Sequence, residues 1–184
     1  MRIVAGIWRG RTLQAPRNST TRPTADRVRQ ALFDMLAHAP WAEPLEGCHV
    51  LDAFAGSGAL GLEALSRGAE RAVFLETDRS ALAALRSNIA SLGAAPCCTV
   101  FPRDATAPPH PPPDHVPCRL VFLDPPYGHD MVARSLPPLL QKRWITSDAL
   151  IAAETGREDT LPATSFLAER PHGVARVSIW RLAG

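Results

Sequence analysis

The chain has 184 residues, 46% of them hydrophobic, and a formal net charge of +2. That length suits one domain with a sizeable core and a small appendage. No apolar run approaches a membrane span, and six scattered histidines and four cysteines without a Cys-x-x-Cys pair give no metal-ligand spacing, so no metal is expected.

The charge is lopsided. Residues 1–30 hold seven arginines against one acid, Asp26, a net of +6. The remainder holds 13 bases against 17 acids, a net of −4. A basic arm on a mildly acidic body is an electrostatic footprint for a polyanion. Residues 2–15 read as a β-hairpin, Ile3 to Ile7 and Thr12 to Ala15, with Trp8, Arg9, Gly10 and Arg11 at the turn. Arginine beside tryptophan suits nucleic-acid backbone and bases; a solvated hairpin tip is the competing reading. Residues 16–23 are polar and proline-bounded, hence a linker. Thr24 reads as an N-cap, and Val28, Leu32, Met35 and Leu36 place one apolar face on a helix over 25–38. Its Asp26, Arg27 and Arg29 either line a pocket entrance or form a solvated face. These elements define an N-terminal unit, 1–39, ahead of a core, 40–184.

The core alternates strand and helix. Strands are expected at 48–53, 71–76, 97–101, 119–124 and 149–154, and helices at 59–67, 79–92 and 129–136. Pro137 and Pro138 should end or kink the last helix. A closing hairpin is expected over 165–170 and 174–182, with Val177 and Ile179 facing inward and Arg176 and Ser178 on a polar face. Alternating β and α gives a doubly wound, mostly parallel sheet. Residues 102–117 contain seven prolines and must form an extended surface loop, either a plain connector or a docking motif. Met1-Arg2-Ile3-Val4 lacks a signal-peptide pattern, and Cys48, Cys97, Cys98 and Cys118 read as free thiols, so a cytoplasmic protein is expected.

The first chemical motif follows the first core strand: Asp52-Ala53-Phe54-Ala55-Gly56-Ser57-Gly58, with Gly61 next and Glu76 twenty positions after Gly56. On spacing alone it matches a dinucleotide fingerprint. Asp52 argues otherwise, because a carboxylate there would repel a pyrophosphate. S-adenosylmethionine carries a sulfonium and an ammonium and no phosphate. The expected cofactor contacts are therefore Asp52, Phe54, Gly56 and Gly58, with Glu76 on the ribose hydroxyls and Asp104 on the adenine amine.

The second motif ends an apolar strand: Asp124-Pro125-Pro126-Tyr127. A doubly wound sheet places its chemistry at such strand ends. The Asp124 carboxylate and the Pro125 carbonyl are both acceptors and suit an exocyclic amine with two N–H donors. Holding both protons aims the nitrogen lone pair at an electrophilic methyl group, which is catalysis by positioning. Tyr127 supplies a flat face for a flipped-out base.

These motifs, with Arg2-Ile3-Val4-Ala5-Gly6, Trp8-Arg9-Gly10-Arg11 and Arg22-Pro23-Thr24-x-Asp26-Arg27-Val28-Arg29, closely resemble the bacterial 16S ribosomal RNA guanine-N2-methyltransferases of the RsmD type. The resemblance runs from residue 2 to about 155. It implies a class I methyltransferase fold, Rossmann-like and seven-stranded, with an N-terminal β-hairpin extension. It implies S-adenosylmethionine as donor and one guanine amine of small-subunit ribosomal RNA as acceptor, on an assembling 30S particle. Asp52, Gly56, Gly58, Glu76 and Asp104 match the family's cofactor positions, and Asp124 to Tyr127 its catalytic tetrapeptide. Arg9, Arg11, Arg22 and Arg27 are the candidate RNA contacts, and the chain is expected to act as a monomer. Two departures stand out: Tyr127 replaces the usual Phe, and prolines replace a short helix after Asp104. The alternatives are an adenine-N6 DNA methyltransferase, for which 184 residues leave little recognition surface, and a non-catalytic RNA-binding module of the same fold.

Overall fold

The structure, a computed structural model, describes residues 1–16, 24–162 and 165–183. Arg22 and most of the expected linker lie outside them. The helices are α1 (Thr24–His38), α2 (Ala59–Ser66), α3 (Arg79–Leu92) and α4 (Met131–Gln141). The strands are β1 (His49–Asp52), β2 (Arg71–Leu75), β3 (Cys98–Phe101), β4 (Cys118–Leu123), β5 (Ile145–Gly156), β6 (Ala168–His172) and β7 (Ala175–Arg181). All seven join one sheet, in the order β3-β2-β1-β4-β5-β7-β6. The first five strands of that order run parallel, and β7 is antiparallel to both β5 and β6. This is the mostly parallel, doubly wound sheet expected of a class I methyltransferase.

Residue parity sorts the core into two layers. Val50, Phe74, Leu120, Phe122 and Ala152 pack with Leu32, Phe33, Leu62, Leu85 and Ile89 on the α1–α3 side. Leu51, Leu75, Val121, Leu123 and Ile151 pack with Val132, Leu136, Leu139 and Trp144 on the α4 side. A strand covered on both faces reads as a continuous apolar run, and β4 is one from Leu120 to Leu123, all four buried. The same cover explains a correction at β7. Ser178 is fully buried rather than on a solvated face, and its hydroxyl donates to Glu169 at 3.0 Å. Arg176 reaches the Asp159 carbonyl at 2.6 Å.

Two further expectations need correction. α4 continues through Pro137 and Pro138 to Gln141. Each proline removes a helical N–H bond, at a cost of about 3 kcal/mol or more in a helix interior. Burial of Val132, Leu136 and Leu139 against the sheet holds the helix regardless. At the N-terminus the hairpin is shorter than expected: Arg2 bridges Thr12 antiparallel, and the amides of Ile3, Gly10 and Leu13 donate to the carbonyls of Arg11, Ile3 and Met1 at 2.9, 2.9 and 3.0 Å. Residues 4–9 instead form a loop laid over the end of α2. The amides of Val4 and Ala5 donate to the Glu63 carboxylate at 2.7 and 3.0 Å. Those of Ile7 and Trp8 donate to the Ser66 carbonyl and hydroxyl at 2.8 and 3.0 Å. Gly6 is pressed so close that a Cβ would stand 1.7 Å from the Ser66 carbonyl oxygen. Ile3, Leu13 and the α1 residues Leu32, Phe33 and Leu36 share one hydrophobic cluster with the sheet.

The proline-rich segment is tied inward. The Pro109 carbonyl accepts from the Trp144 indole at 2.8 Å, and the Pro108 carbonyl accepts from Lys142. His115 packs on the Trp144 ring, centroids 5.0 Å apart. These contacts fit a connector anchored to the α4–β5 junction.

Candidate active site

The C-terminal ends of β1, β2, β4 and β5 point to one edge of the sheet. Beyond β1, the chain is held to both neighbouring strands: the Ala53 amide donates to the Phe122 carbonyl and the Ala55 amide to the Leu75 carbonyl, each at 3.1 Å. Gly58, left-handed at φ 80°, turns the chain into α2. Asp52 lies beneath this turn, 1% exposed. One of its oxygens, Oδ2, accepts the Gly61 amide at 3.0 Å, while Oδ1 is buried without a hydrogen-bond partner. Burial pushes the Asp52 carboxyl up to about 7; the Gly61 bond opposes this and the nearby Glu76 charge adds to it.

Two cavities flank the turn. The first, about 630 Å³, is lined by Phe54, Gly56, Glu76, Asp104 and the Asp124–Tyr127 segment. The second, about 440 Å³, is lined by Asp52, Arg29 of α1, Glu154 of β5 and the β6–β7 turn at His172 to Ala175. They share Phe54, Gly56, Asp124 and Tyr127. Asp124 therefore stands where one chamber opens to the other.

Glu76 is already a strong acceptor. Its oxygens take the amides of Gly56, Thr77 and Asp78 at 2.7, 2.7 and 2.8 Å. Three of about four lone-pair positions are thus in use. Asp104 holds the Thr106 amide and hydroxyl at 2.7 and 2.8 Å. Asp124 is open to the cleft on one side and enclosed by protein on the others. That enclosure raises its carboxyl above the usual range, and the charges of Glu154 and Asp52 raise it further. The Tyr127 hydroxyl donates to Glu154 Oε1 at 2.8 Å.

The family described as conserved hypothetical protein 95 matches residues 1–178. The chain belongs to this family. Among its curated relatives, ribosomal RNA small subunit methyltransferase D of Escherichia coli is 39% identical over 162 residues, 88% of this chain and 78% of that one. The protein of the same name from Haemophilus influenzae is 33% identical over 192 residues, 98% of this chain and 93% of that one. Among solved structures, the Escherichia coli yhhF protein superposes with a TM-score of 0.81 at 36% identity, covering 99% of this chain and 97% of that chain. A Salinibacter ruber RNA methyltransferase in complex with S-adenosyl-L-homocysteine shares the fold, with a TM-score of 0.59 at 18% identity over 89% of this chain and 93% of that one.

The residues present fit S-adenosylmethionine, the expected cofactor. A buried carboxylate oxygen without a partner awaits a cation at Asp52. Gly56 lines both cavities, and a Cβ added there would meet nothing within 4 Å, so bare backbone faces the space. Gly58 lines neither cavity; a Cβ there would lie 2.3 Å from Leu85, so its smallness serves packing and the left-handed turn.

The expected RNA contacts divide. Arg9, Arg11 and Arg27 are exposed. Arg11 also donates to the Ser91 carbonyl at the end of α3, at 2.6 Å. Arg29, expected either at a pocket entrance or on a solvated face, lines the second cavity: it is 4% exposed, paired with Asp26 at 2.9 Å and within 3.6 Å of Glu63. Sequence reasoning missed Glu63 and Glu154 as organising residues. Glu63 lies within the expected helix 59–67 and its partners are remote in sequence; Glu154 ends the expected strand 149–154, and that strand-end position was its one signal.

Proposed function

We propose that this protein transfers a methyl group from S-adenosylmethionine to the exocyclic N2 amine of a guanine in small-subunit ribosomal RNA, on an assembling 30S particle and as a cytoplasmic monomer. The observation that carries the reading is Asp124-Pro125-Pro126-Tyr127 at the meeting of two cavities, one suited to the cofactor and one to a base. The names of the curated relatives supply the substrate class. Bound in the first cavity, S-adenosylmethionine supplies an electrophilic methyl carbon on a sulfonium. The Gly56 backbone, which lines both cavities, and Asp52, which lines the second, would hold its methionine end where the two chambers meet; Glu76 and Asp104 would stand at the ribose and adenine end in the first. Phe54 walls both chambers.

On the acceptor side, the Asp124 carboxylate and the Pro125 carbonyl take the two N–H groups of the amine. The lone pair then faces the methyl carbon. Transfer would form a nitrogen–carbon bond as the carbon–sulfur bond breaks, its electron pair leaving with the donor, and the amine would lose one proton. Asp124, its acid range raised, is placed to receive that proton before water does. Arg9, Arg11, Arg22 and Arg27 dock phosphates without reading sequence.

The test is transfer from labelled S-adenosylmethionine to small-subunit particles, naked ribosomal RNA and duplex DNA, followed by digestion to nucleosides. Label in N2-methylguanosine from particles supports the reading. Label in N6-methyladenine from DNA, or no turnover on any substrate, overturns it. Asp124→Ala is expected to lose transfer while binding S-adenosylmethionine with unchanged affinity.

A further inference from the structure

Asp124-Pro125-Pro126-Tyr127 alone does not distinguish guanine from adenine, since both bases present an exocyclic amine. The edges beside that amine differ. Guanine places the N1–H donor next to its amine. Adenine places the N1 lone pair, an acceptor, next to its own. A second group beside Asp124 therefore decides which base fits.

That group is Glu154. β4 and β5 run parallel with Leu123 opposite Ala153, so the residues that follow, Asp124 and Glu154, stand side by side at the sheet edge. Both line the second cavity. Tyr127, which lines it too, donates its hydroxyl to Glu154 Oε1 at 2.8 Å and so fixes the carboxylate. Arg29 is the cation of this chamber, and it is committed to Asp26, Glu63 and the Arg2 carbonyl. Two neighbouring carboxylates are acceptor-only groups that repel one another. A ligand with two adjacent donors relieves that repulsion; a donor beside an acceptor does not.

We propose that Glu154 is a specificity-determining residue, its Oε2 accepting the N1–H of the target base while Asp124 holds the amine. This rests on the guanine-N2 reading above. Tyr127 then has two duties: its ring carries the base and its hydroxyl aims Glu154. Adenine is excluded because its N1 lone pair would face a carboxylate at hydrogen-bond distance. The departure from Phe at this position becomes part of the recognition rather than a neutral replacement.

The experiment uses small-subunit particles reconstituted with guanine or 2-aminopurine at the mapped target nucleotide. 2-Aminopurine keeps the C2 amine but presents an acceptor at N1. Wild type is expected to prefer guanine by about 100-fold or more in kcat/KM, as sites built to bond a donor reject its absence. In Glu154→Gln, the side-chain amide can donate to N1, so guanine transfer falls about tenfold or more and the preference narrows by at least as much. Tyr127→Phe should narrow it too, by releasing Glu154. Each preference is a ratio within one protein, so partial misfolding lowers both rates and leaves it intact. If wild type makes N2-methylguanosine but Glu154→Gln keeps the full preference, Glu154 has no such role and the function stands. If wild type makes no N2-methylguanosine at all, the underlying reading fails instead.

Discussion

The buried carboxylate of Asp52 makes cofactor binding depend on pH. In the free protein its acid range lies at about 7 against an ordinary 3.8. Between those values the folded state holds a proton that the unfolded chain has released. Stability of the free protein therefore falls as pH rises through that window, by up to about 4 kcal/mol for three units. A bound sulfonium and ammonium favour the ionised form and so release the proton. At pH 6 only about a tenth of Asp52 is ionised, so S-adenosylmethionine should bind about tenfold more weakly than at pH 8. Titration calorimetry in buffers of different ionisation enthalpy reads the proton directly. Asp52→Asn keeps the shape and the Gly61 bond but cannot ionise. It should bind more weakly at pH 8, lose this part of the pH slope and be more stable than wild type in the free state above pH 7. The cofactor's own amine titrates equally in both proteins, so the difference isolates Asp52. Identical slopes for the two proteins would refute the reasoning.

Glu63→Ala leaves Arg29 buried beside an empty site and frees the Val4 and Ala5 amides. The loss should be about 3–5 kcal/mol, a fall of roughly 6–20 °C in Tm at this chain length; a loss under about 1 kcal/mol would mean that the N-terminal loop is held by its apolar contacts alone. Replacing Arg9 and Arg11 together by Glu should weaken particle binding and shallow its salt slope by roughly 0.7–0.9 per lost phosphate contact. Cofactor affinity should not change, since neither residue lines the two cavities; equal methylation rates across a salt series would move recognition away from the arm.

The sheet was legible because its strands announce themselves. β4 is apolar without a break from Leu120 to Leu123, and α3 is capped by Asp78, whose side chain accepts the Ala81 amide, and ends at Gly93 in the left-handed conformation. Those signals are local. The errors came where tertiary contact overrides local preference. Pro137 and Pro138 argue against continuing the helix, yet α4 is held by the buried Val132, Ser135, Leu136 and Leu139 while Pro137 stays exposed. Arg176 and Ser178 argue for a solvated face, yet β7 lies inside the sheet with β5 on one side and β6 on the other. Residues 2–15 read as a hairpin, but its pairing stops at Ile3, and the amides of Val4, Ala5, Ile7 and Trp8 are satisfied by Glu63 and Ser66, some sixty positions away. No window on the sequence contains both halves of that contact.

The site divides in the same way. Asp52, Gly56 and Asp124 are found by motif because Asp52 ends β1, Gly56 follows it within four residues and Asp124 directly follows β4. Glu154 is brought to Asp124 only by the pairing of β4 with β5, and Arg29 reaches the second cavity only because α1 packs over the sheet. The glycine pattern itself carries more than one kind of information. A Cβ at Gly58 would strike Leu85, and one at Gly61 would stand 2.4 Å from the Phe74 ring. Both glycines are demanded by the packing of α2 on the sheet, whatever ligand binds. Of the three glycines of the pattern, Gly56 is the one that presents open backbone to the cavities. The spacing therefore encodes a strand–turn–helix shape at two positions and ligand access at one. That is why it matched a dinucleotide site equally well, and why the charge at Asp52, not the glycines, had to choose the cofactor.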